Sequence, residues 1–99
     1  MQSKTADIKK LLKDYNLIKI EVENSVANKA DTEKLRFIDN CLKTLSEQNR
    51  QIIVKIYIDK MNVTTVAKQL YINRTTLYRK INKITTLLET AYRKKFKNN

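Results

Sequence analysis

An all-α fold is predicted by three features of this chain. It contains no glycine and no proline, the two residues on which tight hairpins and β-rich loops draw most. Its apolar residues recur at spacings of three and four, the period of one helix face, rather than at two. Its candidate helix starts are Asn, Asp, Ser and Thr, whose short side-chain oxygens accept from the unpaired N–H groups of a first turn. Together these give a small helical domain of about five helices and no strand. Ninety-nine residues suffice for one helical core but not for a second.

The first helix is expected over residues 4–27. Ile8, Leu11, Tyr15, Ile18 and Val22 follow one another at spacings of 3, 4, 3 and 4, a short heptad seam that Leu12, Leu17, Ile20 and Val26 broaden. A seam this wide either packs on the chain's own helices or also contributes to a dimer interface. Residues 28–30 are the expected break, with Asn28 able to take the left-handed backbone usually given to Gly. Asp31 is the expected N-cap of a second helix reaching Leu45, with Leu35, Ile38, Leu42 and Leu45 on its stripe and Cys41 beside it as a small buried apolar residue. Ser46 opens a third helix that carries Ile52, Ile53, Ile56 and Tyr57 inward, and Asp59, Lys60 and Met61 form the corner after it.

The remaining elements are two helices joined by a tight turn, over residues 62–81. Asn62 or Thr64 caps the first, where Val66, Ala67 and Leu70 make an apolar face and the small Ala67 permits close approach of its neighbour. Ile72 plugs the turn and Asn73 caps the second helix, which begins at Arg74 and runs to about Tyr92 or beyond. Leu77, Ile81, Ile84 and Leu88 form its inner stripe, and Leu87, Ala91 and Tyr92 keep its second half amphipathic. At about 100° per residue, Thr75, Thr76, Tyr78, Arg79, Asn82 and Lys83 project away from that stripe. The basic end, residues 93–97, suits either the negative pole of the helix or a direct DNA contact, and Asn98 and Asn99 are expected to fray.

These two helices carry a resemblance. Arg50-Gln51-Ile52-Ile53 followed by residues 66–79 is similar to region 4 of bacterial sigma factors, which reads the −35 promoter element. Ile72-Asn73-Arg74-Thr75-Thr76-Leu77-Tyr78-Arg79 resembles more closely the run that opens the recognition helix in phage late-gene regulators of the ArpU/RinA type, a sigma-region-4-like family. The stretch from Lys4 to Tyr15 is also similar to the start of those regulators. The resemblance implies a DNA-binding helix-turn-helix in residues 46–99, preceded by an N-terminal helical region in residues 1–45, the two forming one compact domain. It further implies that Arg74, Thr75, Tyr78 and Arg79 face bases.

The charge pattern points the same way. The chain carries +11, of which +9 falls on residues 60–99 and only +2 on the first 59. Cations gathered on the half that holds the paired helices are the footprint of a nucleic-acid binder; a general solubilising bias would not avoid the first half. On the residues themselves, Arg79 can donate twice to guanine, the methyl groups of Thr75 and Thr76 can touch thymine, and Tyr78 can reach a base edge or a phosphate. Asn62, Thr64, Thr65, Lys68, Asn73 and Lys83 are placed for phosphates. With no His and a single Cys, neither a metal site nor a histidine-based nucleophile is expected, and no Gly-rich phosphate loop is present, so no enzyme activity and no cofactor are expected. No apolar run is long enough for a membrane span, and a cytoplasmic, nucleoid-associated protein is expected.

Two functions from different classes remain. One is a sequence-specific regulator on duplex DNA, a phage or prophage late-gene activator acting as a homodimer or beside RNA polymerase. The other is an interaction module of the anti-sigma or anti-repressor type that binds the polymerase or a sigma factor.

Overall fold

The computed structural model describes residues 5–97. In chain order these form α1 (Ala6–Lys13), α2 (Tyr15–Glu23), α3 (Lys29–Thr44), α4 (Glu47–Ile53), a π-helical turn (Val54–Ile58), α5 (Val63–Gln69) and α6 (Arg74–Phe96). The all-α expectation holds, with no strand among the described residues. The expected fraying of Asn98 and Asn99, and the expected helix start at Lys4, lie outside them.

The expected first helix is two. Asp14, at φ −88° and ψ 0°, both ends α1 and opens α2. Side chains from across the fold seat the chain at this break: Lys60 Nζ donates to the Lys13 carbonyl at 3.0 Å, and Asn16 Nδ2 donates to the Ile58 carbonyl at 3.2 Å. The Tyr15 hydroxyl donates to Asp39 at 2.7 Å, and burial together with that bond pushes its pKa up to about 12. The break changes what is buried. Ile8, Leu11 and Leu12 of α1 are in the core, whereas α2 buries no residue fully and leaves Leu17 58% and Ile20 57% exposed, with Val26 exposed beyond it. Those three apolar residues therefore do not broaden the core seam as the spacing suggested, because the heptad pattern is interrupted where the chain bends.

The junction to α3 also differs from expectation. Ser25, not Asn28, takes the left-handed backbone, at φ 60°. Val26 N–H reaches back to the Glu21 carbonyl at 2.9 Å and Ser25 N–H to Val22 at 3.1 Å, the paired bonds of a Schellman ending. Asn28 is extended and is itself the cap, its side chain accepting from the Asp31 N–H at 2.8 Å. Asp31 thus sits inside the first turn, where its charge suits the positive pole of the helix. Along α3, Ile38 is buried as expected, and Leu42, Leu45 and Cys41 pack partly buried against the core. Cys41 is half-buried rather than enclosed, and that burial pushes its thiol pKa up. Phe37, absent from the expected stripe, is buried edge-on against Tyr92 and Phe96, with ring centroids 6.0 and 5.6 Å away.

Ser46 caps α4 by accepting from the Asn49 N–H at 3.2 Å. Ile52 and Ile53 are buried, as are Tyr57 and Ile58, while Ile56 is only half-buried. A spacing of five would carry an α-helix about 140° past one full turn and off its own face. The π turn over Val54–Ile58 widens the coil, closed by Asp59 N–H to the Val54 carbonyl at 2.8 Å, so both pairs point inward. A strict 3.6-residue period put Ile56 inside for lack of that widening.

The core is one cluster fed by α1, α3, α4, the π turn, α5 and α6. α1 lies on α6 and on the π turn, and α5 lies on the same two elements. Glu89, 4% exposed, ties α1 to α6: one carboxylate oxygen accepts the Ile8 N–H at 2.9 Å and the other accepts from Arg93 Nε at 2.8 Å. A carboxylate so buried is tolerated because both oxygens are hydrogen-bonded and one partner is charged. Lys97 bridges to Asp7 on α1, and this bond holds the Asp7 carboxyl below its usual pKa and raises that of Lys97.

Candidate nucleic-acid interface

α5 and α6 are set against each other by their caps. Asn62 is extended, and its side-chain oxygen accepts from the Thr65 N–H at 2.8 Å; Asn62, and not Thr64, is the cap. Asn73 does the same for α6, accepting from Thr76 N–H at 2.7 Å. Between them the chain closes with Ile72 N–H on the Ala67 carbonyl at 3.1 Å and Tyr71 N–H on that of Lys68 at 3.3 Å. This is again a Schellman ending, and it puts Tyr71 in the left-handed region at φ 57°. The Tyr71 ring is 95% exposed, so a side chain stands where Gly would cost nothing. The sequence gives no sign of this, since nothing in the residue type announces a positive φ.

Val66, Ala67, Leu77 and Ile81 are buried at the α5–α6 contact, and Leu70 and Ile72 pack partly buried against it. Below them Ile84, Thr85, Leu88, Glu89 and Tyr92 continue the inner face of α6. Thr85 is fully buried and satisfies its hydroxyl on the Ile81 carbonyl at 2.8 Å. Leu87, expected to add to the apolar face, is 63% exposed: it lies about 100° away from Leu88 around the helix, past the edge of the contact.

With the inner face fixed, the outer one follows. Arg74, Thr75, Tyr78 and Arg79 are exposed on the first turns of α6, as are Asn82 and Lys83. Thr76 is half-buried, so of the six expected outward residues it is the one the fold partly withdraws. On α5, Thr64 and Lys68 are exposed and Thr65 is half-buried. Asn62 and Asn73 are exposed, but their side-chain oxygens are committed to the caps, which leaves their NH₂ groups to meet anything outside. Among the described residues none of Lys68, Arg74, Arg79 and Lys83 is in an ion pair.

The far end of α6 is different. Arg93 is bound to Glu89 and Lys97 to Asp7, while Lys95 lies over the Phe96 ring at 5.7 Å. An open surface hollow of about 460 Å³ lies there, lined by Thr90, Arg93, Lys94 and Lys97. Of its cations Arg93 and Lys97 are paired with carboxylates, whereas Lys94 is in no ion pair among the described residues. No helix among the described residues is long and apolar enough to cross a membrane.

The chain belongs to the family described as "Protein of unknown function (DUF1492)", which matches residues 5–89. No curated protein and no solved structure matches it.

Proposed function

We propose that this DUF1492 member is a sequence-specific regulator of transcription that binds duplex DNA through a helix-turn-helix made of α5 and α6. The observation that carries the reading is the outer face of the first turns of α6. Arg74, Thr75, Tyr78, Arg79 and Lys83 are exposed there, and among the described residues the cations of this set are free of carboxylates. Leu77 and Ile81 hold the opposite face in the core, so the presenting helix is rigid. An α-helix fits the major groove, where an arginine pairs with guanine and threonine methyls meet thymine. The resemblance to sigma region 4 and to ArpU/RinA regulators supports a phage-type activator that works beside RNA polymerase, in the cytoplasm, with no catalytic step and no cofactor.

A second reading, the anti-sigma or anti-repressor module, is favoured by one observation, the exposed Leu17 and Ile20 of α2. The same face serves a homodimer equally well. The discriminating experiment is selection of duplexes from a random pool by the purified chain, followed by titration of the enriched duplex against a scrambled one. Enrichment of a consensus and tighter binding to it support the regulator. A failure to retain any duplex, at low salt as well as high, replaces it with the interaction module.

A further inference from the structure

Among the described residues Ser25, Lys60 and Tyr71 take the left-handed backbone. Ser25 is small and polar, and Lys60 uses its ammonium on the Lys13 carbonyl at 3.0 Å. Tyr71 is the bulky one, and its side chain has no use inside the chain. The ring is 95% exposed, and among the described residues it meets no hydrogen-bond, aromatic or cationic partner. A residue with a Cβ is disfavoured at φ 57°, so strain is kept here with no intramolecular contact to offset it. Strained residues that the fold itself does not use cluster where a chain meets its ligands.

The turn restricts where such a contact falls. Leu70 and Ile72, on either side, pack partly buried against the core, which leaves Tyr71 directed away from it. The Tyr71 N–H is held by the Lys68 carbonyl at 3.3 Å, and Asn73, two residues on, caps α6. Three residues of chain span at most about 11 Å, so Tyr71 stands within that distance of Arg74, the first residue of α6. A recognition helix meets base edges with its N-terminal residues, in a major groove about 12 Å wide. With the start of α6 in that groove, Tyr71 is at the groove wall, where sugars and phosphates are the accessible groups. The neighbourhood has the matching chemistry. Between Asp59 and Glu89 the sequence holds no acid, and Lys68 and Arg74, exposed at the two ends of the turn, are in no ion pair among the described residues.

We propose that Tyr71 is a backbone-contacting residue of the duplex interface, its hydroxyl donating to a phosphate oxygen and its ring lying on the adjoining sugar. This rests on the duplex-binding reading above, and adds to it a residue that orients α6 without reading sequence, because phosphates are the same at every step. It also gives the strained turn a use, since the left-handed backbone sends the side chain outward from between two inward neighbours. A neutral donor displaces no counterion from the duplex, so this contact adds affinity without adding salt dependence, unlike that of Lys68.

The test uses the full chain with Tyr71→Phe, which removes only the hydroxyl, Tyr71→Gly, which removes the whole side chain and suits the backbone, and Lys68→Gln. Thermal melts certify that each variant is folded. Binding to the enriched duplex and to a scrambled one is titrated between about 50 and 200 mM salt. Tyr71→Phe is expected to weaken both duplexes about tenfold, the loss of one hydrogen bond to a charged group, and Tyr71→Gly by more, with the salt slope unchanged in each. Lys68→Gln lowers that slope by about 0.9. Nitration by tetranitromethane, mapped by mass spectrometry, follows the ring directly: Tyr71 should be modified in the free chain and protected on the duplex, with Tyr78 on α6 as the protected reference. If Tyr71 is nitrated as fast on the duplex as off it while Tyr78 is protected, the proposal is overturned and the duplex-binding reading stands. A Tyr71→Phe variant that binds as the unaltered chain does, or that changes sequence preference, overturns it as well. So does protection of Tyr71 that grows with protein concentration in the absence of DNA, since the ring then meets a second copy. If the unaltered chain binds no duplex, the duplex-binding reading has failed and the Tyr71 contact falls with it.

Discussion

Arg79 and Lys83 stand one turn apart on the outer face of α6, and the proposed interface gives them different work. Arg79 follows Thr75 by one turn from the helix start, so its fork falls where base edges are deepest in reach. Arg79→Ala is expected to cost about 1 to 3 kcal/mol on the enriched duplex and little on a scrambled one. Lys83 lies where the helix leaves the groove, and Lys83→Ala should weaken both duplexes alike while lowering the salt slope by about one unit. Equal weakening by Arg79→Ala, with altered preference from Lys83→Ala, would mean the helix is rotated from this register. Tyr71 poses a separate question of stability. Its left-handed backbone costs about 1 to 2 kcal/mol in a residue with a Cβ, against about 0.5 to 1 for the extra entropy of a glycine. Since the ring is 95% exposed, Tyr71→Gly should raise the stability by about 0.5 to 1 kcal/mol in a urea melt. A fall would mean that the ring packs on its surroundings.

At the scale of elements, α6 does two jobs along its 23 residues. Its first turns present side chains outward; its second half, through Glu89, Arg93 and Lys97, fastens α1. Leu77 is the residue on which the first job depends, because it is fully buried between α5 and the core. Leu77→Ala is expected to cost about 2 to 4 kcal/mol, the loss of transfer energy plus that of packing. Leu70, at the C-cap of α5 and only half-buried, should lose distinctly less. Denaturant melts of the two variants side by side check both the magnitude and the order. If Leu70→Ala proved the costlier, the turn and not the helix contact would be holding the pair together. The π turn belongs to this scale too, since it lets a single helical run bury Ile52, Ile53, Tyr57 and Ile58 on one side.

For the whole molecule the open question is assembly. A single small helix-turn-helix seldom reaches useful specificity alone, and paired half-sites about one DNA turn apart are the usual remedy. Leu17 and Ile20, on a helix that buries no residue fully, are the apolar surface offered for it. A homodimer is expected by light scattering on the enriched duplex, and Leu17→Asp with Ile20→Asp should return it to one copy without altering the melt. A mass near 11.7 kDa for the free chain at every concentration, together with a complex that exceeds the duplex by only that mass, would rule the dimer out. Net charge sets the background for any such experiment: at +11 the chain repels copies of itself, so association should strengthen as salt rises while DNA binding weakens.

Local pattern alone was enough for the helical class, the inner stripe Leu77, Ile81, Ile84 and Leu88, and two of the caps, Ser46 and Asn73, while it left Asn62 and Thr64 as alternatives for α5. Each of these depends on neighbours within a turn or two, and a short polar side chain before an apolar periodic run has few other uses. The exposed set Thr75, Tyr78, Arg79, Asn82 and Lys83 followed from that stripe by rotation alone, with Thr76 falling at the margin, while Arg74 entered through the resemblance. What lay beyond reach was settled by partners distant along the chain. The break at Asp14 depends on Lys60, Ile58 and Asp39; the burial of Glu89 depends on the Ile8 N–H, eighty-one residues away. The π turn depends on a core that wants both Ile53 and Ile58, and Ser25 rather than Asn28 turns left-handed where the paired bonds to Glu21 and Val22 close α2. Periodicity fixes which face of a helix is apolar, but only the tertiary contacts decide where that helix stops and which charges its ends must meet.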